Sequence, residues 1–175
     1  KDRSKSAEYA GYIAKEADLV LEHLTGNRTL EQLHFGGGTP TFMSNEELEE
    51  LMTILTARFP LEEKGEFSIE VDPRTTPPDK VETLARLGFN RMSVGVQDFN
   101  PDVQKAVNRL QSFDMTKETI DTARSAGFKS VNLDLIYGLP KQTRERFART
   151  LDRVLELSPE RVALYHYAHL PERFK

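Results

Sequence analysis

Apolar and polar residues alternate in five short stretches of the chain, and apolar residues recur at helical spacing in the stretches around them. The alternating stretches are Leu30–Phe35, Phe67–Val71, Arg91–Gln97, Ser130–Ile136 and Arg161–Tyr167. Helical spacing predicts helices over Ala7–Leu24, Asn45–Arg58, Pro78–Leu87, Pro101–Asn108, Lys117–Ala126 and Arg144–Leu157. In the second of these, Leu48, Leu51, Met52 and Leu55 fall on one face. Ser44 with Glu47 reads as a capping box, and Asn100-Pro101 as an N-cap followed by proline at the first helical position. Gly88 and Gly127 stand where helices stop. No two strands are joined by a tight hairpin. Strand ends recur about 25 to 40 residues apart, the size of one strand-plus-helix unit. This alternation implies a parallel sheet with helices outside it, either a doubly wound open sheet or a barrel in whole or part.

The two faces of the strands separate these choices. Phe67, Ile69 and Val71 point one way, and Ser68, Glu70 and Asp72 the other. Met92, Val94 and Val96 oppose Ser93, Gly95 and Gln97; Val131, Leu133 and Leu135 oppose Asn132 and Asp134. A parallel strand covered by apolar layers on both sides reads as nearly continuous hydrophobics, and a closed barrel fills its interior with bulky branched residues. Carboxylates and amides demand partners or water. The expected fold is therefore α/β, an incompletely closed barrel with a polar-lined hollow.

Composition narrows the partners. No linker or low-complexity stretch divides the chain, so residues 1–175 read as a single domain. Net charge is −4 and no basic stripe stands out, which argues against nucleic acid and anionic membranes as partners. Apolar runs are too short to span a bilayer. The polar opening "KDRSKSAEYA" carries no signal-peptide pattern, which fits the cytoplasm. Cysteine is absent, excluding disulfides and thiolate metal sites built from this chain alone.

In parallel α/β architectures ligands gather at the carboxyl ends of strands. Gly36-Gly37-Gly38-Thr39, Glu70 and Asp72, Gln97 and Asp98, Asp134 with Tyr137-Gly138, and His166 to His169 all sit there. Five polar or backbone-exposing strand ends point to one shared site. The glycines let a ligand approach bare backbone, whose freed N–H and C=O groups bind carboxylate, phosphate or ammonium; the alternative is a tight turn with no ligand. Neither a Walker loop nor a dinucleotide fingerprint is present. Glu70 and Asp134 suit a ribose or a cation, or else are inward structural carboxylates. By themselves, Asp72-Pro73-Arg74 reads as a turn with a surface ion pair and Arg109 as a solvated charge. His166 and His169 lack a third metal ligand, Met43, Met52 and Met92 read as core, and the charge runs Glu46–Glu50 and Glu62–Lys64 read as solvated faces. No metal site is assigned to the chain's own residues, and these patterns do not name a reaction.

"HFGGGTPTFMS", "SIEVDPR", "RMSVGVQDFNPDVQKAVNRLQ", "VNLDLIYGLPKQT" and "YHYAHLP" resemble the oxygen-independent coproporphyrinogen III oxidases of the radical S-adenosylmethionine superfamily. The likeness runs from about Leu33 to Pro171. Some of these motifs are shared with haem-chaperone-type paralogues; Asp72-Pro73-Arg74, Gln97-Asp98-Phe99, Asn108-Arg109 and Tyr167–Pro171 look like the oxidase. The resemblance implies a partial (β/α)6 TIM-like barrel, here lacking its first strand. It implies that Gly37, Gly38, Thr39 and Glu70 bind one S-adenosylmethionine, and that Gln97, Arg109, Asp134 and Ala168 bind a second. In that family a 4Fe-4S cluster reduces S-adenosylmethionine, and the deoxyadenosyl radical takes hydrogen from a propionate of coproporphyrinogen III. Two oxidative decarboxylations give protoporphyrinogen IX, in porphyrin and haem biosynthesis. A monomeric cytoplasmic parent and an electron donor such as flavodoxin or a reductase are implied as well. An ordinary barrel hydrolase or lyase using Glu70 and Asp134 as acid and base is the reading from another class.

The chain departs from that family in one respect: the Cys-x-x-x-Cys-x-x-Cys motif that holds the cluster is missing. The chain is accordingly expected to be an internal piece of the catalytic domain, without the cluster-binding part or the C-terminal domain, and inactive alone. Anaerobic reconstitution of this chain with iron and sulfide should leave no cluster absorbance; a stable, filled cluster would overturn that expectation.

Overall fold

The computed structural model describes residues 5–168. Helix α1 (Ser6–His23) leads into strand β1 (Leu30–Phe35), and strand–helix units follow: α2 (Asn45–Thr56), β2 (Leu61–Val71), α3 (Pro78–Arg86), β3 (Arg91–Gln97), α4 (Pro101–Ala106), α5 (Phe113–Ser125), β4 (Ser130–Tyr137), α6 (Arg144–Leu157) and β5 (Arg161–His166). All strand pairs are parallel and the sheet order is β1-β2-β3-β4-β5. Each new strand adds to the same edge, so the order never reverses as it does in a doubly wound sheet. With crossovers of one hand, the helices line one face and the sheet curls away from them into a half-barrel.

One contact measures that curl. Arg161 of β5 donates to Glu66 Oε2 of β2 at 2.8 Å, and Arg91 of β3 also donates to Glu66. Strands three apart lie about 14 Å from one another in a flat sheet, so the β5–β2 pairing requires a concave inner face. The outer face carries the core. Ile69, Met92, Val94, Val131, Leu133 and Leu135 are fully buried, packed with Leu48 and Met52 of α2, Leu84 of α3, Ile120 of α5 and Val154 of α6. Met43 joins that core from its edge.

The helix starts follow local chemistry. Ser44 accepts from the Glu47 N–H while Glu47 accepts from the Ser44 N–H, completing the expected capping box. Asn100 accepts from the Asp102 and Val103 N–H groups. Helix α5 begins at Phe113, four residues before the expected Lys117, because Ser112 caps it through the Met115 N–H.

Strand β2 is also longer than expected, reaching back to Leu61 through the charge run Glu62–Lys64. Leu30 pairs with Leu61 but Gln32 pairs with Glu66, so the charged residues bulge out of the ladder toward solvent. Period-two alternation is lost there. Asn90 secures the next part of β2, accepting from the Phe67 N–H and donating to the Gly65 carbonyl.

Leu133→Ala, in the fully buried row, should cost about 2–5 kcal/mol in urea denaturation, whereas Leu155→Ala, at a position 72% exposed, should change stability by less than about 0.5 kcal/mol.

Candidate functional site

The carboxyl ends of β1 to β4 open into a polar cleft of about 180 Å³ lined by residues that include Gly37, Gly38, Thr39, Glu70, Asp72, Gln97, Arg109 and Asp134. Seven of the eight site residues expected from the sequence therefore meet in one place. The eighth, Ala168, is exposed just beyond β5 and does not line this cleft. The carboxylates of Glu70 and Asp134 lie on the same, concave side of the sheet. Behind the cleft the hollow continues for about 550 Å³, past His34, Ser68, Arg91, Asn132 and Tyr165, with Glu70, Ser93 and Asp134 common to both spaces.

The glycine run serves two purposes. Gly37 has φ +85°, in the left-handed region that glycine occupies without strain. A Cβ on Gly36 would lie 2.5 Å from His34 Nε2 and 2.9 Å from Glu70 Oε1, so its missing side chain makes room for theirs. His34 Nε2 sits 3.6 Å from Glu70 Oε1, and its Nδ1 is 2.7 Å from Ser68 Oγ. The loop beyond is held from α3: the buried Lys80 ammonium donates to the carbonyls of Thr41 and Met43, and Thr76 donates to the Thr41 hydroxyl.

Asp134 is held by its own sheet. Asn132 Nδ2 donates to Asp134 Oδ1 at 2.7 Å and Ser93 donates to Oδ2 at 3.1 Å. Burial raises its pKa; the Ser93 and Asn132 hydrogen bonds oppose this, and the Glu70 charge adds to it. The cleft thus concentrates negative charge on one side.

Arg109 supplies the positive charge, and it lines the cleft although, read by itself, it would be a solvated charge. It is not a solvated surface residue: its side chain is 20% exposed, Nη2 donates to the Gly95 carbonyl at 2.8 Å, and Nη1 lies 3.6 Å from Asp72 Oδ2. Its Nε is buried without a hydrogen-bond partner. The Asp72–Arg74 pair does form the expected turn, with Asp72 accepting from the Arg74 N–H and guanidinium. Asp72 nevertheless faces the cleft rather than bulk solvent. Burial pushes its pKa up, but the Arg74 hydrogen bonds and the Arg109 charge outweigh that and leave it lowered. Sequence spacing could not find this, because Arg109 enters from a loop after α4 rather than from a strand.

His169 lies outside the described residues. Among the described residues no group of three His, Cys, Asp or Glu side chains could hold a metal ion. With no cysteine in the chain, the residues present do not fit a 4Fe-4S cluster. They offer a polar ligand the Glu70 and Asp134 carboxylates, the Gly37 and Gly38 backbone and the Arg109 guanidinium in the lining of one cleft.

A curled parallel half-barrel with its polar site at the strand ends is the architecture of one large enzyme class, and residues 5–154 match the Radical SAM superfamily. The chain belongs to that superfamily. It is 50% identical over 176 residues to the oxygen-independent coproporphyrinogen III oxidase of Pseudomonas aeruginosa, and 50% identical over 177 residues to that of Salmonella typhimurium, with 99% of the chain aligned in each case. The chain spans 38% of the length of both relatives. It superimposes on coproporphyrinogen III oxidase from Escherichia coli, a radical SAM enzyme, with a TM-score of 0.93 at 45% identity, covering 99% of this chain and 40% of that one. An archaeal Elp3 shares the fold at a TM-score of 0.68 and 16% identity, covering 95% of this chain and 44% of that one.

Because the folded-state pKa of Asp134 is raised, its ionised form costs stability at neutral pH. That cost is absent below the ordinary carboxylate pKa and appears as pH rises through the folded value. Asp134→Asn should therefore raise the melting temperature near pH 7, with the gain shrinking toward about pH 4. Melting curves at the two pH values check this; a variant less stable at neutral pH contradicts it.

Proposed function

We propose that the cleft binds S-adenosylmethionine, and that the protein to which this chain belongs oxidatively decarboxylates two propionates of coproporphyrinogen III to vinyl groups, giving protoporphyrinogen IX in haem biosynthesis. The observation that carries this reading is the convergence of Gly37, Gly38, Thr39, Glu70, Gln97, Arg109 and Asp134 on one hollow. Identity of 50% to two named coproporphyrinogen III oxidases over nearly the whole chain supports the choice of substrate.

Each residue has a role its chemistry suits. Glu70 and Asp134 are anionic acceptors for ribose hydroxyls and for the sulfonium and ammonium charges of the ligand. The backbone of Gly37 and Gly38 admits the amino-acid end at close range. Arg109 brings a donor to the ligand carboxylate, and Gln97 presents an amide beside it. By the resemblance, Glu70 and the glycines serve a first S-adenosylmethionine, and Gln97, Arg109 and Asp134 serve a second together with Ala168, which reaches it from beyond β5 and outside this cleft. When bound, S-adenosylmethionine supplies the carbon-centred oxidant for hydrogen abstraction. The cluster's ligands are not in this chain, so the part played by these residues is to bind, orient and exclude water.

The remaining assignments complete the proposal. Residues 1–175 form one domain, a portion of the radical SAM core. The whole protein acts as a cytoplasmic monomer on a small tetrapyrrole, takes electrons from a flavodoxin or a reductase, and engages neither nucleic acid nor membrane. No helix among the described residues is long and apolar enough to cross a membrane.

Calorimetric titration of this chain with S-adenosylmethionine should give a binding isotherm that Glu70→Ala and Asp134→Ala each weaken by about tenfold or more. Absence of binding, or binding indifferent to both substitutions, rejects the site. For the full-length protein, coproporphyrinogen decarboxylation without stoichiometric haem binding separates the oxidase from the chaperone-type paralogue.

A further inference from the structure

Gln97 is held in a backbone conformation that an ordinary side chain avoids. Its φ is +68°, and the β3–β4 register slips there, with Gly95 opposite Asp134 but Gln97 opposite Leu135. The bulge re-aims the end of β3, so that the Gln97 amide folds over Gly95 beside Arg109. A Cβ on Gly95 would lie 3.1 Å from Gln97 Nε2 and 3.0 Å from Arg109 Nη2. Strain of this kind persists only where surrounding structure enforces it.

The next residue, Asp98, closes the turn, its N–H donating to the Val96 carbonyl at 2.9 Å across Gln97, and its side chain is anchored in its turn. It is 1% exposed, and its carboxylate points away from the cleft into a knot of neutral donors. Oδ1 accepts from the Asn100 N–H at 2.6 Å and the Thr150 hydroxyl at 2.7 Å; Oδ2 accepts from Gln142 Nε2 at 2.6 Å. Gln142 in turn donates to the Ile136 carbonyl and accepts from the Gly138 N–H. One carboxylate thereby fastens the β3–α4 loop, the β4–α6 loop and helix α6 to one another.

The knot also reaches Arg109. Gln104 Nε2 donates to the Asp98 carbonyl at 2.9 Å, and the Gln104 backbone carbonyl accepts from the Arg109 N–H at 2.8 Å. Asn108, just before Arg109, is the second left-handed residue of this segment, with φ +52°. Both cleft side chains contributed by irregular backbone thus adjoin one buried residue, Gln97 beside the anchored Asp98 carboxylate and Arg109 through the Asp98 main-chain carbonyl and Gln104. No salt bridge to Asp98 occurs among the described residues, where the donors to its carboxylate are neutral. Such a group is costly to bury, and an amide of the same shape could not accept from all three donors.

We infer that Asp98 is a positioning residue: it is buried and does not line the cleft, and it sets the placement of Gln97 and Arg109 there. The effect on ligand binding rests on the S-adenosylmethionine reading above; the effect on Gln97 geometry does not.

Asp98→Asn, Gln142→Ala and Thr150→Val in the 175-residue chain test this by nuclear magnetic resonance and calorimetry. Asp98→Asn should shift the Gln97 backbone and Nε2 signals and the Arg109 Nε signal, while the Leu133 and Ile69 methyls stay in place. It should weaken S-adenosylmethionine binding by about tenfold, and each of the other two variants by about threefold. If Asp98→Asn does not fold, Gln142→Ala and Thr150→Val decide, since both leave the carboxylate in place. Unchanged Gln97 and Arg109 signals in the folded variants overturn the inference, as does undiminished binding. A wild-type chain that binds no S-adenosylmethionine while Gln97 still moves in Asp98→Asn rejects the ligand reading and leaves the positioning role standing.

Discussion

From Phe67 to Val71 of β2, Met92 to Gln97 of β3 and Val131 to Leu135 of β4, every second residue is a buried hydrophobe turned toward the helices, and the intervening Ser68, Glu70, Ser93, Gly95, Gln97, Asn132 and Asp134 are turned toward the hollow. The rest of the structure follows from that division. Burying the aliphatic row under α2, α3, α5 and α6 supplies the stabilisation, because apolar area removed from water is the main favourable term in folding. Leaving the other row wet avoids the desolvation that a filled barrel would impose on Glu70 and Asp134. The curl of the sheet then gathers the polar row around a common centre, so the same alternation that makes a core on one side makes a polar cleft on the other.

The site is electrostatically lopsided. Two carboxylates share its sheet-borne side, and burial raises the pKa of Asp134 with Glu70 nearby. The arginine opposite is already engaged by Asp72 and the Gly95 carbonyl, yet keeps one buried donor without a partner. Asp134 is under tension within the fold: burial penalises its charge while the Ser93 and Asn132 hydrogen bonds favour it. Gln97 carries a similar tension in its backbone.

Much of this was legible before any coordinates. The five strands and six helices were placed from period and caps, and the opposed faces of the strands led directly to a hollow containing Glu70 and Asp134. Where pattern was broken, reading failed. The charged bulge of β2 hid the first half of that strand, because residues pushed out of the ladder need not alternate. The Ser112 cap was a visible signal for the earlier start of α5, and it outweighed the weak periodicity of the turn that follows it.

Strand faces, helix caps and the glycine turn were determined by the sequence itself, because each depends on residues within a few positions of one another. The placement of Arg109, Asp72 and Asp98 was decided only in the tertiary structure. Arg109 and Asp72 are brought together from separate loops, and Asp98 is anchored by Thr150 and Gln142 in later parts of the chain. On irregular backbone no period dictates where a side chain points; distant partners do, and they exist only once the sheet has curled and the helices have packed.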